Sequence, residues 1–325
     1  MSSHTAFRSQ FASFVTNNAH RLRRGIQGLV LLSLLLIPLS TTTVFTNLMI
    51  SMLVFGLFAL GFDLIMGYTG VVSFGHALYF GGGAYVVALA PSYLGVDNLW
   101  LLLLLTILSM AALGFVVSVI SIRSQGIYFA LLTIAWAQVG YILVYNLTDI
   151  TGGSNGAAVR ISEMVLVPGT VTFSLNDAMP MYYLSLAALL GTLFLLYRLV
   201  NSPFGAVLKG IRENPDRIRY LGYDERWYRI IAFTISAGIA GLAGALLAVF
   251  TGFISPGLMA LLINGEVIIW TVLGGQGTLV GPIIGAGFIT YMEHSFATKL
   301  SWWLIPVGVL FMWVFAALLL TAVAG

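Results

Sequence analysis

Stretches of about 20 apolar residues recur along the chain, and the short segments between them hold nearly all of the charge. A helix needs roughly 20 apolar residues to cross the hydrocarbon core of a bilayer, where backbone groups find no water to bond. The pattern therefore predicts spans at 26–46, 47–66, 71–90, 99–121, 125–146, 181–200, 230–251, 259–275, 280–297 and 302–323. About ten spans make an all-α, polytopic membrane protein, with residues 26–325 as its transmembrane domain behind an N-terminal segment at 1–25. The stretch 252–300 fits plain spans least well. Gly274, Gly275, Gly277, Gly281, Gly285 and Gly287 suit close helix packing or broken half-helices there.

Composition narrows the class. Only 8% of residues are charged and 59% are apolar, whereas a soluble domain carries about 25% charged residues. With no cysteine, the chain has neither disulfides nor thiolate chemistry. A pI of about 9.2 would fit nucleic acid, but the placement of the basic residues fits a membrane better. Arg8, Arg21, Arg23 and Arg24 precede the first span and put the N-terminus in the cytoplasm; Arg123 and the segment with Arg198, Lys209, Arg212, Arg217, Arg219, Arg226 and Arg229 then fall inside too. Of 14 Lys and Arg, only Arg160 and Lys299 fall outside. The first apolar run follows about 20 polar residues and ends in Leu39-Ser40-Thr41-Thr42-Thr43, a poor small-x-small cleavage site, so it reads as an uncleaved span. Phe7, Phe11, Phe14 and Val15 recur at helical spacing, which fits a helix lying on the membrane surface, although a disordered tail fits as well.

The largest inside loop, 201–229, carries two helix-start signals: Ser202-Pro203 and Asn214-Pro215 each place a capping residue before a proline at the first helical position. Phe204, Val207, Leu208 and Ile211 give the first helix an apolar face, and Gly222 is suited to stop the second near Leu221. Such a charged, double-stopped element can dock into a cytosolic partner through Arg212, Glu213, Asn214, Asp216, Arg217, Ile218, Arg219, Leu221 and Gly222. It can also be an ordinary solvated basic loop.

The outside loop, 147–180, contains Thr151, Gly152, Gly153, Ser154, Asn155 and Gly156, which can present N–H donors to a carboxylate or form a plain turn. Three ionisable groups fall within spans. Glu266 lies in the apolar stretch Leu258–Gly275, where an acidic side chain costs roughly 2.5–3.5 kcal/mol and must face protein or water. Asp63 and His76 flank Gly67-Tyr68-Thr69-Gly70, where they form a structural pair or a proton relay. A Gly-x4-Gly-Lys-Ser/Thr phosphate loop occurs nowhere, and His294 beside Glu293 lacks a second His at helical spacing. No catalytic or metal site is expected, no cofactor is held by this chain, and any ATP is bound by partner subunits.

Several of these segments together resemble one family. GYTGVVSFGHALYFGGGAY (67–85), RSQGIYFALLTIAWAQ (123–138), TGGSNG (151–156), NSPFGAVLKGIRENPDRIRYLGYD (201–224), AFTISAGIAGLAGALLA (232–248) and EVIIWTVLGGQGTLVGPIIGA (266–286) resemble the permeases of high-affinity branched-chain amino-acid ABC importers, the LivM type. The resemblance covers about residues 48–300. It implies a ten-helix permease fold in a bacterial-type cytoplasmic (inner) membrane, paired with a second homologous permease. Two cytosolic ABC ATPases and a periplasmic or lipid-anchored amino-acid-binding protein complete the implied importer of leucine, isoleucine and valine. Under it, 201–224 becomes the ATPase-coupling loop and the TGGSNG loop rises above a mere turn; Glu266, His76 and Asp63 join that loop as pathway candidates by their placement within spans. A permease for urea or another small polar solute shares the architecture. A proton-coupled carrier using Glu266, Asp63 and His76 is the reading from another class, and a membrane enzyme is the weakest. Pro215 interrupts what relatives run as one helix, and the ending FMWVFAALLLTAVAG lacks the Pro-x-Gly of the family.

Overall fold

The computed structural model describes residues 42–124, 126–159, 163–167, 171–174 and 177–297, together with positions 35, 36 and 38. The chain divides into two units, Met1–Thr46 and Asn47–Gly325, and the packing described here is that of the second. The N-terminal segment, most of the expected span at 26–46, Arg160, Lys299 and the span at 302–323 lie outside the described residues.

Six described helices are long and apolar enough to cross a membrane. They are α1 (Thr43–Thr69), α2 (His76–Leu94), α3 (Leu99–Ser121), α4 (Ile127–Asn146), α5 (Ala178–Val200) and, after the charged loop, α8 (Glu225–Thr251). Within that loop lie α6 (Pro203–Glu213) and α7 (Pro215–Tyr220). The shorter α9 (Leu261–Gly274) and α10 (Val280–Ala297) close the described part. Two antiparallel pairs complete it: β1 (Ala157–Ala158) with β4 (Phe253–Ile254), and β2 (Glu163–Val167) with β3 (Val171–Ser174). The fold is all-α, as the apolar periodicity predicts.

Most helix limits fall near where the sequence places them, and the departures are informative; α8, for one, begins at Glu225, five residues before the expected start at 230. Residues 43–46 continue into α1 rather than ending the preceding span. The span expected at 71–90 begins only at His76, because Gly70 takes a left-handed backbone (φ 72) and the chain runs without helical structure to Gly75. Gly67, Tyr68 and Thr69 are the last turn of α1 and not part of a turn, so Asp63 and His76 are separated by the end of one helix and a six-residue connection. Finally, the 14 residues of α9 rise about 21 Å, short of the roughly 30 Å hydrocarbon core, so it is a half-helix. The chain reaches it through β4 and a 3-10 turn, Pro256–Met259, that packs against Gly81 of α2.

Between helices in lipid the hydrophobic effect offers little, and association rests on close packing of small residues. The α8 stripe Ala237, Gly238, Ala240, Gly241, Ala243, Gly244 meets this requirement: all six are buried, against α2 and α3. A Cβ on Gly83 would strike the Gly241 backbone, and one on Gly244 the Phe80 carbonyl oxygen, so α2 and α8 touch backbone to backbone. An aromatic cluster fills the other side of α2. Phe58 stacks on Phe80 with centroids 4.6 Å apart, and Phe55 meets Trp270 of α9 at 5.1 Å.

Candidate functional site

Buried backbone polar groups need partners, so the partly buried connection Gly70–Gly75 needs an account of its own. Phe74 N donates to Thr133 Oγ1 of α4 (3.0 Å), Gly75 N to Ser73 Oγ (3.3 Å) and Ala77 N to Asn264 Oδ1 of α9 (2.8 Å). His76 sits between Ser73 Oγ at Nδ1 (3.0 Å) and Ser236 Oγ at Nε2 (2.9 Å). Ser236 donates its only hydroxyl hydrogen to Gly61 O (2.6 Å), so towards His76 it accepts. The network therefore closes with the neutral Nε2–H tautomer, Nδ1 accepting from Ser73. His76, fully buried, holds the start of α2 to α1 and α8.

Asp63 is also fully buried, and it does not meet His76 through any described hydrogen bond. Its oxygens accept from Gly277 N (2.7 Å) and Leu279 N (3.2 Å) in the loop joining α9 to α10. In place of a mutual pair, Asp63 binds backbone amides and His76 binds two serine hydroxyls. Both ring nitrogens of His76 are taken by these hydroxyls.

Glu266 is half-buried on α9, within electrostatic reach of Glu293 on α10, and makes no hydrogen bond among the described residues. Asn264, two residues earlier on the same half-helix, is fully buried and caps α2. An Asn within the apolar stretch Leu258–Gly275 was the signal available in the sequence.

The TGGSNG stretch is a closed turn. Thr151 N bonds Leu147 O, Gly152 N bonds Thr148 O, Gly153 N bonds Thr151 Oγ1, Asn155 N bonds Gly152 O and Gly156 N bonds Gly153 O. Of the two readings of this stretch, the plain turn is the one whose bonds are seen: five of its six amides are occupied and that of Ser154 is not. Thr151 and Gly153 are buried, while Ser154 and Asn155 point to the exterior. The turn is further pinned by the pairing of β1 with β4.

At the opposite end of the bundle lies the charged loop. Pro203 and Pro215 occupy first helical positions as expected, and Asn214 Oδ1 caps α7 by accepting from Arg217 N (3.1 Å). Ser202 departs from the expectation, since its hydroxyl turns back to Leu199 O (2.6 Å). Gly222 (φ 88) ends α7 in the left-handed conformation that its sequence position predicts. Val207, Ile211 and Ile218 form a small core with Tyr228, which also stacks on Phe204. Ile218 is therefore turned inward and not towards a partner. Tyr220 (90% exposed) and Leu221 (71%) carry the outward apolar surface instead. Arg219 is not free either. It pairs with Asp216 (3.3 Å) and with Glu225, which in turn faces Arg229 (3.6 Å). Arg217, Glu213 and Asp216 remain exposed, and the Arg212 tip bonds inward to Gly67 O although much of its side chain is exposed. A cavity of ≈ 600 Å³ opens between the connection and this loop, lined among others by Gly70, Phe74, Phe129, Arg212, Glu225 and Arg229.

With this geometry in view, the comparisons with known proteins are specific. The family described as branched-chain amino acid transport system / permease component matches residues 44–323. The high-affinity branched-chain amino acid transport system permease protein LivM of Escherichia coli (strain K12) is 31% identical over 252 residues, covering 72% of this chain and 59% of the relative. The corresponding LivH protein of Salmonella typhimurium is 26% identical over 258 residues, 76% of this chain and 83% of the relative. A probable LivM of Methanocaldococcus jannaschii is 27% identical over 270 residues, 71% and 76% of the two chains. The alignment thus spans about 59% of the length of the LivM protein it matches at 31% identity. No solved structure matches the chain. A match over 280 residues, together with six spanning helices and a half-helix, assigns the fold: the chain belongs to the family of branched-chain amino acid transport permease components.

Proposed function

We propose that this chain is the permease subunit of an ATP-binding-cassette importer carrying leucine, isoleucine and valine into the cytoplasm by alternating access. Its implied companions are a second related permease, two cytosolic ATPases and a periplasmic or lipid-anchored binding protein. The carrying observation is the two-helix body α6–α7. It has its own apolar core and presents Tyr220, Leu221 and Arg217 outward from the Arg- and Lys-rich end of the bundle. The sequence contains no phosphate loop, so ATP hydrolysis has to reach the chain through such a body. The distribution of Lys and Arg supports placing that end, and the N-terminus, in the cytoplasm. The commitment of Asp63 and His76 to backbone and hydroxyl partners favours this reading over a proton-coupled carrier, for which Glu266 is left as the one candidate group without a described hydrogen bond.

The test is uptake of labelled leucine into proteoliposomes holding the permease pair, its ATPases and its binding protein. Import is expected to require ATP inside the ATPase compartment and to persist when a protonophore collapses the proton gradient. Import that stops with the protonophore while ATP is maintained would refute the proposal.

A further inference from the structure

The α6–α7 body touches the membrane helices on an inward face that the docking proposal does not use. Lys209 Nζ lies 5.8 Å from the ring centre of buried Tyr68, and one turn further along α6 Arg212 Nη1 donates to Gly67 O. The Arg212 stem runs along Gly70, whose added Cβ would lie 3.2 Å from Arg212 Cγ. All these contacts fall on the last turn of α1 and the residue after it.

A second set of bonds reaches the same place from the other side. Asp63 lies one turn before Gly67 on α1 and holds the α9–α10 loop through Gly277 N and Leu279 N. Leu279 (φ 61) is the only non-glycine with positive φ among the described residues, a conformation that needs enforcement from its surroundings. Thr278 closes the loop further, donating to Gly275 O (2.7 Å) and accepting from Gly281 N (3.0 Å). A Cβ on Gly277 would lie 2.8 Å from Arg212 Nη1 and 3.0 Å from Gly67 O, so guanidinium, helix end and loop converge on one point. From there α9 runs back to Asn264, which caps the interrupted start of α2.

We propose that Arg212 and Asp63 are positioning residues that link the α6–α7 body to the α9–α10 hairpin across the end of α1, so that displacement of the body by a partner is delivered to the half-helix and, through Asn264, to the break before α2. This rests on the importer reading above. A guanidinium suits the joint because several fixed donors can hold a carbonyl while the charge stays near a buried carboxylate. The sequence gives Arg212 the look of a docking residue, and the geometry turns its tip the other way.

The test uses the complete importer in proteoliposomes and reads substrate imported per ATP hydrolysed. Wild type must first show ATP-driven import; if it does not, the importer reading falls and the linkage with it. Given that control, Arg212→Ala is expected to retain its ATPases and their hydrolysis while import per ATP drops about tenfold, the worth of one charge-assisted hydrogen bond. Arg212→Lys, which can still donate to Gly67 O, is expected to recover part of the loss, an outcome that bulk destabilisation would not give. Loss of the ATPases from Arg212→Ala would make Arg212 a docking residue and overturn the proposal, as would wild-type import per ATP. If Arg212→Ala does not accumulate, amide exchange in the wild-type complex decides. Protection of residues 275–281 is expected to change between nucleotide-free and ATP-bound states together with that of α6–α7, and a change confined to α6–α7 overturns the linkage.

Discussion

At the scale of single residues, buried polar groups here serve backbone. Ser236 illustrates the arithmetic: its hydroxyl accepts from His76 and donates to Gly61 O, and since Gly61 O keeps its helical bond, truncation orphans the buried His76 Nε2–H. Leaving a buried donor or acceptor unpaired costs about 1–3 kcal/mol. Ser236→Ala is accordingly expected to lower the unfolding midpoint of the detergent-solubilised permease by several degrees; an unchanged midpoint would mean that water replaces the hydroxyl and that the network adds nothing. None of this network was legible in the sequence. Hydropathy carried the span back to residue 71 because Val71, Val72 and Phe74 are apolar, while the partners that hold the chain extended, Thr133 and Asn264, lie 59 and 187 residues from the groups they bind. Local information sufficed where the determinant is local. Asn214-Pro215 and Gly222 marked both ends of α7 because a cap and a left-handed stop involve only neighbours.

At the scale of elements, the α6–α7 body has two faces with different duties. The apolar pattern identified that a face existed, but α7 is too short for periodicity to say which of Ile218 and Leu221 looks out. The structure assigns Ile218 to the internal core and Tyr220 and Leu221 to the exterior. Replacing Tyr220 and Leu221 together by alanine is therefore expected to weaken co-purification of the ATPases about tenfold or more, as loss of two apolar anchors in a cleft would, without lowering the thermal stability of the permease. Ile218→Ala should do the reverse and destabilise the loop, by about 2 kcal/mol or more for a truncated core side chain. The opposite pattern would place the docking surface on the other side of α7. The outer turn shows a similar lesson. Its glycines and hydroxyls were visible in the sequence, but the closure of its amides was not, because Thr151 and the 147–156 backbone bond one another.

For the whole molecule, the apolar pattern predicted the class and most of the helices, and the uncertain stretch 252–300 is where the bundle departs from simple crossing. Glu266 sits on that half-helix with one carboxylate, Glu293, in reach and no described hydrogen bond. Membrane burial of an acidic group costs roughly 2.5–3.5 kcal/mol on insertion scales, so a half-buried Glu there implies water or a further protein surface beside it. Glu266→Leu is expected to reduce uptake at equal permease content in the membrane, measured by leucine import normalised to immunoblot; normal uptake at normal abundance would show that the position serves neither assembly nor the pathway.

The seam between α2 and α8 carries a mechanical consequence. Where side chains interdigitate, two helices can slip, because rotamers give way one at a time. At Gly83 against Gly241 and at Gly244 against Phe80 O there is no side chain to yield, only main chain on main chain. The contact is a weld rather than a bearing, and the two helices form one stiff strut across the core. A side chain placed at Gly83 or Gly244 therefore has no rotamer to escape into and has to push α2 and α8 apart.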